Sequence, residues 1–129
     1  MSAVREVMWL QEQFDRCWPF LEPALAYAGN TFDRAHVWRR IFTEQAQLWP
    51  GTTAAIVTTI TENPDGTKTV VGWLAGGEFD EVKRLQGEIR PWAKRMGCTR
   101  VRVIGRKGWI RGLKEDNFRE VATIMESDL

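Results

Sequence analysis

The chain has 129 residues, 43% hydrophobic and 27% charged, with 18 basic against 17 acidic side chains. That length suits one domain, residues 1–129, and the near-zero net charge speaks against a disordered tail and a uniformly basic nucleic-acid binder. Two distant cysteines, Cys17 and Cys98, a start "MSAVREVMWL" unlike a signal peptide, and no apolar run near ~18 residues predict reduced, buried thiols in a cytoplasmic protein that crosses no membrane.

Residues 1–50 read as a helical N-terminal part. Val7, Met8, Leu10, Phe14 and Cys17 recur close to helical spacing, and Pro19 is expected to interrupt that helix. Phe20 to Ala28 suggests a second helical piece, stopped at Gly29-Asn30. A further helix is expected from "NTFDRAHVWRRIFTEQAQ", capped by Asn30 or Thr31, with Asp33 favouring its first turn. Its apolar stripe runs through Phe32, Val37, Ile41, Phe42 and Leu48, and "WPG" at Trp49–Gly51 ends it.

Residues 52–129 read as the sheet and a central helix. "TTAAIVTTIT", Thr52 to Thr61, is a β-branched strand, "ENPDG" a turn with Gly66 at positive φ, and "TKTVVGWLA" the returning strand. The central helix is expected from Phe79 to Met96, kinked at Pro91 and closed by Gly97. "TRVRVIG" alternates, with Val101 and Val103 on one side and Arg100 and Arg102 on the other. A short helix near Gly108–Glu115, a left-handed Asn117 and a last strand in "FREVATIMES" complete the order. The strand–helix–strand stretch from Thr69 to Ile104 has the length of a crossover, so its strands should be parallel in a mixed sheet with helices on both faces. The seven tryptophans are expected mostly in the core.

This α/β order resembles the GNAT fold of the N-acetyltransferase superfamily, most of all from Thr52 onward. There a hairpin feeds a central helix, then a strand, then a short helix ending near "LKEDNF", where Asn117-Phe118 stands for the family's glycine and phenylalanine. "QLWPG", "WLAGG", "WAKRMGC" and "GRKGWIRGL" are also similar to phrases in small GNAT-like proteins of tailed phages and prophages. The resemblance implies acetyl-CoA as cofactor, held by Trp73, Leu74, Ala75, Gly76 and Gly77. It departs from the family at two places. The pyrophosphate pattern Gln/Arg-x-x-Gly-x-Gly/Ala is reduced to Ala75-Gly76-Gly77-Glu78, and the short-helix tyrosine is missing, since the sole tyrosine is Tyr27 and Trp109 lies in the short-helix region. Glu78 and Asp80 complement the helix N-terminus where a diphosphate would sit, so a structural turn is weighed against a working phosphate cradle.

No catalytic residue is assigned from the sequence. His36, Glu62, Glu78 and Asp80 are conceivable bases, each equally readable as a solvated side chain. Cys17, His36 and Cys98 have no ligand spacing, so no metal is expected. The segment from Lys94 to Lys114 has no acid, and Arg100, Arg102, Arg106, Lys107, Arg111 and Lys114 are read as a basic patch for nucleic-acid phosphate, the 3′-phosphate of CoA or an acidic protein surface, or as a solvated face. Two function classes follow. One is a divergent acyl-CoA N-acyltransferase; the other is a non-catalytic phage protein, cytoplasmic or virion-associated, that binds a phage or host protein partner or serves in virion assembly. A nucleic-acid binder comes third.

Overall fold

The computed structural model describes residues 3–28, 31–104 and 107–129. Helix α1 spans Ala3–Leu21 and runs through Pro19, two residues before its end. The expected interruption does not occur there; a 3₁₀ segment, Glu22–Ala28, follows directly. Helix α2, Arg34–Phe42, starts later than expected and is capped by Asp33, whose carboxylate accepts the His36 N–H at 2.8 Å. It also ends sooner. Thr43 caps it, its hydroxyl donating to the Arg39 carbonyl at 2.7 Å, and Glu44 takes positive φ of 63°. Gln47–Pro50 is then strand β1, not the end of a helix. A proline fits there because β1 is an edge strand.

Strand β2, Ala54–Glu62, pairs antiparallel with β1 and with β3, Lys68–Gly77. Gly66 turns the hairpin at φ 88°, the conformation the sequence requires of it. Helix α3, Phe79–Arg95, includes Pro91 and is followed by Gly97 at φ 86°. Strand β4, Cys98–Val103, is parallel to β3, as the crossover length implies. The four strands lie in the order β1-β2-β3-β4. A 3₁₀ turn, Lys107–Trp109, leads into α4, Ile110–Lys114, and Asn117 ends that region at φ 66°. The expected last strand does not form: residues 118–129 carry no strand assignment, because none of them enters a ladder with another strand.

Helices cover both faces of the sheet. On one face α1 and α2 pack Phe14, Leu21, Val37 and Ile41 against Ala55, Val57 and Leu74. On the other, α3 packs Val82, Leu85, Ile89 and Ala93 against Ala54, Ile56 and Val70. Cys17 and Cys98 are free and buried. Of the tryptophans only Trp18 is fully buried; Trp38, Trp49, Trp73, Trp92 and Trp109 are half-buried and Trp9 is exposed. Indole N–H groups withdrawn from water find polar partners: Trp49 donates to Thr58 and Trp18 to Glu22.

Candidate cofactor site

Strands β3 and β4 pair only as far as Gly72 opposite Val103. Beyond that point β3 continues for five residues, Trp73 to Gly77, of which Leu74 to Gly77 pair with β2 alone and Trp73 has no β2 partner. The β4-facing backbone edge of those five residues has no strand partner among the described residues. These are the five residues named from the sequence as cofactor-binding.

The parting of the strands has a local cause. Val57 is opposite Leu74, but Thr58 is opposite Gly72, so Trp73 is an extra residue on β3. A bulge of this kind bends the strand and re-aims its side chains. Here it sends both Trp73 and Leu74 towards α1 and α2, while Gly72 and Ala75 face the α3 side. A small apolar cavity of about 30 Å³ lies at the opening, between Gly72, Ala75, Val103, Thr58 and Gln86, under a roof of Trp109 and Leu113. That volume is about a single water's share, well short of a ligand pocket.

The roof is α4 folded down on α3. The Phe79 and Trp109 rings stand 5.7 Å apart, and Gly112 leaves room for the Phe79 ring, which a Cβ at 112 would meet at 2.3 Å. Lys83 reaches Glu115 at 3.1 Å and Asp116 at 3.7 Å, and these acids hold its ammonium above its ordinary pKa. Arg90 donates to the Asp116 carbonyl at 3.2 Å and lies over the Phe118 ring.

At the top of α3 the glycine pair does not form an open anion loop. Gly76 and Gly77 remain in the β2–β3 ladder, opposite Ala55 and Ala54. Only Glu78 separates β3 from α3, and its N–H donates to the Thr53 carbonyl at 3.0 Å. Gly77 takes φ 103°. Glu81, one turn in, accepts the Thr52 N–H at 3.1 Å and pairs with Arg84 at 2.8 Å, which lowers its carboxyl to about 2. Arg84 also meets Glu88 at 2.9 Å, and both acids raise its already high pKa.

The basic residues are divided between two faces. Val101 and Val103 line the cavity on the α3 side, so Arg100 and Arg102, alternating with them, project to the opposite face and are exposed. Arg111 and Lys114 are exposed on α4, on the α3 side. Arg106 and the Lys107 side chain lie outside the described residues. Glu62 sits at the far end of β2, opposite Lys68, away from the Gly77 end of the sheet. Tyr27 is exposed in the 3₁₀ segment after α1. Among the described residues no three His, Cys, Asp or Glu side chains are grouped as metal ligands, and no helix is long and apolar enough to cross a membrane.

Sequence reading passed over one cluster altogether. Arg40 stacks on Phe32 and Trp73, at 5.0 and 4.9 Å from their ring centroids, and Phe32 also meets His36 at 4.8 Å. The signal was present as the four-residue spacing of Phe32, His36 and Arg40, which puts the three on one stripe of the chain at α2.

A Trypanosoma brucei acetyltransferase superposes with TM-score 0.58 at 11% identity, over 86% of this chain and 94% of that one. The fold is an acetyltransferase fold. An Arabidopsis thaliana glucosamine-6-phosphate N-acetyltransferase is similar over 59% of this chain and 56% of its own, at 12% identity and TM-score 0.48. No family model and no curated protein sequence matches the chain. The GNAT-like α/β architecture expected from the sequence is therefore present, with a four-stranded mixed sheet as its frame.

Proposed function

We propose that the protein binds an acyl-CoA and is a divergent N-acyltransferase. The observation that carries this reading is the unpaired edge of Trp73–Gly77 where β3 parts from β4. An extended chain bearing amides, such as the pantetheine arm, can add to such an edge as a strand would, through main-chain hydrogen bonds. Trp73 to Gly77 would hold the arm; the bound thioester would supply the acyl group.

The fit is uneven along the cofactor. The edge suits the arm. The start of α3 does not suit a diphosphate, because the Glu78 N–H is already bonded and Glu78, Asp80 and Glu81 bring negative charge to the helix pole. Arg111 and Lys114 on α4, which packs on the first turn of α3 through Phe79, would take that part instead. The apolar roof of Trp109 and Leu113 keeps water from the opening. It must lift for the arm to enter a space of about 30 Å³.

The test is a thermal melt of the full chain with acetyl-CoA. A ligand at a hundredfold its Kd stabilises by about 2.7 kcal/mol, a rise of roughly 10 °C for a domain of this size. Replacing both Arg111 and Lys114 by Glu should abolish most of that rise. No rise at millimolar acetyl-CoA would sink the reading and return the protein to the non-catalytic, partner-binding class.

A further inference from the structure

We infer that Phe32, His36, Arg40 and Trp73 form an oxyanion-recognition subsite on the α2 face, one that selects an acceptor amine carrying a carboxylate or phosphate. Its link to an acceptor rests on the acyl-transfer reading; its affinity for an oxyanion does not.

Two unmet polar demands converge on one aromatic wall. The first is Arg40. Its guanidinium carbon lies in the corner of two rings set at 85° to each other, 5.0 Å from the Phe32 centroid and 4.9 Å from that of Trp73, and it makes no salt bridge among the described residues. Cation–π contact does not use up the guanidinium N–H donors, which can still meet a fork of two oxygens, the geometry that carboxylates and phosphates offer. The second is His36, one helical turn earlier. Its ring lies 4.8 Å from Phe32, and its Nε2 is buried with no hydrogen-bond partner among the described residues. A buried polar atom without a partner is destabilising, and a ligand that supplies one recovers that loss. Phe32 touches all three companions, Trp73 edge-on at 5.2 Å, so the two demands belong to one place.

The location gives the cluster its role. Trp73 is the bulged residue, one position past Gly72, where β4 leaves β3. The bulge points its indole through to the α2 face, opposite the cavity. An anion gripped by Arg40 therefore lies across the sheet from the proposed thioester, beside the break in strand pairing through which an amine would reach it. The two rings already flank Arg40 before any ligand arrives, which lowers the ordering cost of binding.

Nitrogen-15 spectra of the full chain, titrated at constant ionic strength with inorganic phosphate and separately with acetate, test this. The Trp73 indole N–H, the His36 ring and the Arg40 Nε–H are expected to shift together and saturably at millimolar anion. Arg40→Gln should weaken the binding at least tenfold, and Arg40→Lys should weaken it less by keeping the charge without the fork. Tighter phosphate would identify phosphorylated amines as acceptors; tighter acetate would identify amino-acid-like ones. Absence of saturable shifts in the wild type overturns the proposal, and so does Arg40→Lys binding as tightly as wild type together with a folded Arg40→Gln that does the same. An acetyl-CoA melt on the same samples separates the two ideas: shifts without a melt response keep the subsite and reject the transferase, and the reverse rejects the subsite alone.

Discussion

The N–H of Glu78 donates to the carbonyl of Thr53 at 3.0 Å, and Gly77 between strand and helix is what permits it. This bond ties the start of α3 back to the loop before β2 and takes out of use an amide that an open phosphate loop would present. At φ 103° a Cβ on residue 77 would lie 2.3 Å from the Thr53 oxygen and 2.4 Å from the Ala54 Cα, both backbone atoms that cannot step aside. Gly77→Ala should therefore destabilise the protein by about 2–4 kcal/mol, from the left-handed strain and the overlap together. Urea unfolding measures it; a loss below about 1 kcal/mol would contradict the packing described.

Glu81 makes a pH prediction. Its carboxyl sits at about 2, against an ordinary 4.5, chiefly because Arg84 bonds to it and secondarily because the Thr52 N–H does. A folded-state pKa below the unfolded one stabilises the protein fully above about pH 4.5 and loses that contribution as pH falls towards 2. Glu81→Gln should lower the urea midpoint at pH 7 and flatten its decline over that acid interval. An acid limb of unchanged steepness in the variant would show that the pairing contributes nothing.

Thr58 is a relay. Its hydroxyl accepts the Trp49 indole N–H at 3.0 Å and donates to the Gln47 side-chain oxygen at 2.8 Å, joining β1 to β2. The residue is only 1% exposed. Thr58→Val keeps the shape and strands both partners, so a loss of about 1–2 kcal/mol is expected. Thr58→Ser should recover most of it, and equal stability of the Val and Ser variants would argue against the relay.

Gly112 lets α4 close on Phe79. An added Cβ meets the Phe79 ring at 2.3 Å, and a ring, unlike backbone, can move away. Gly112→Ala should consequently loosen α4 without unfolding the sheet. Amide exchange in Ile110–Lys114 is expected to quicken about tenfold, equivalent to about 1.4 kcal/mol of local opening, with the global midpoint nearly unchanged. Unaltered exchange would place the α4 contact elsewhere.

Both thiols are shielded. Burial raises the pKa of Cys17 and Cys98, against smaller opposing effects of Arg16 on the first and Lys68 on the second. A disulfide reagent at pH 8 should label neither in the native protein and both in urea. Rapid native labelling of Cys17, which is 0% exposed, would refute the packing of α1 on the sheet.

Local chemistry carried much of this fold in the sequence. Alternation in Arg100–Val103, the β-branched run before "ENPDG", the central helix from Phe79, the positive-φ residues Gly66, Gly97 and Asn117, and the parallel crossover are all decided by nearest neighbours or by chain length between elements. The errors fall where distant partners choose. Leu48 continues a helical stripe, yet Gln47–Pro50 becomes a strand because β2 offers it a ladder. "FREVATIMES" has strand composition but meets no ladder and remains irregular.

The site divides in the same way. Trp73–Gly77 stood out as a strand end with two glycines, a property of composition. What makes those residues a candidate is that β4 leaves them at Gly72, next to one extra residue, Trp73, in the β2–β3 register that no local pattern announces. Likewise Phe32, His36 and Arg40 share a helical spacing anyone can count, but Trp73, which completes the stack, reaches them only because a bulge turns it to the α2 face. Side-chain spacing is local and is written in the order of residues; register and the facing of sheets on helices are collective, and only the packed chain decides them.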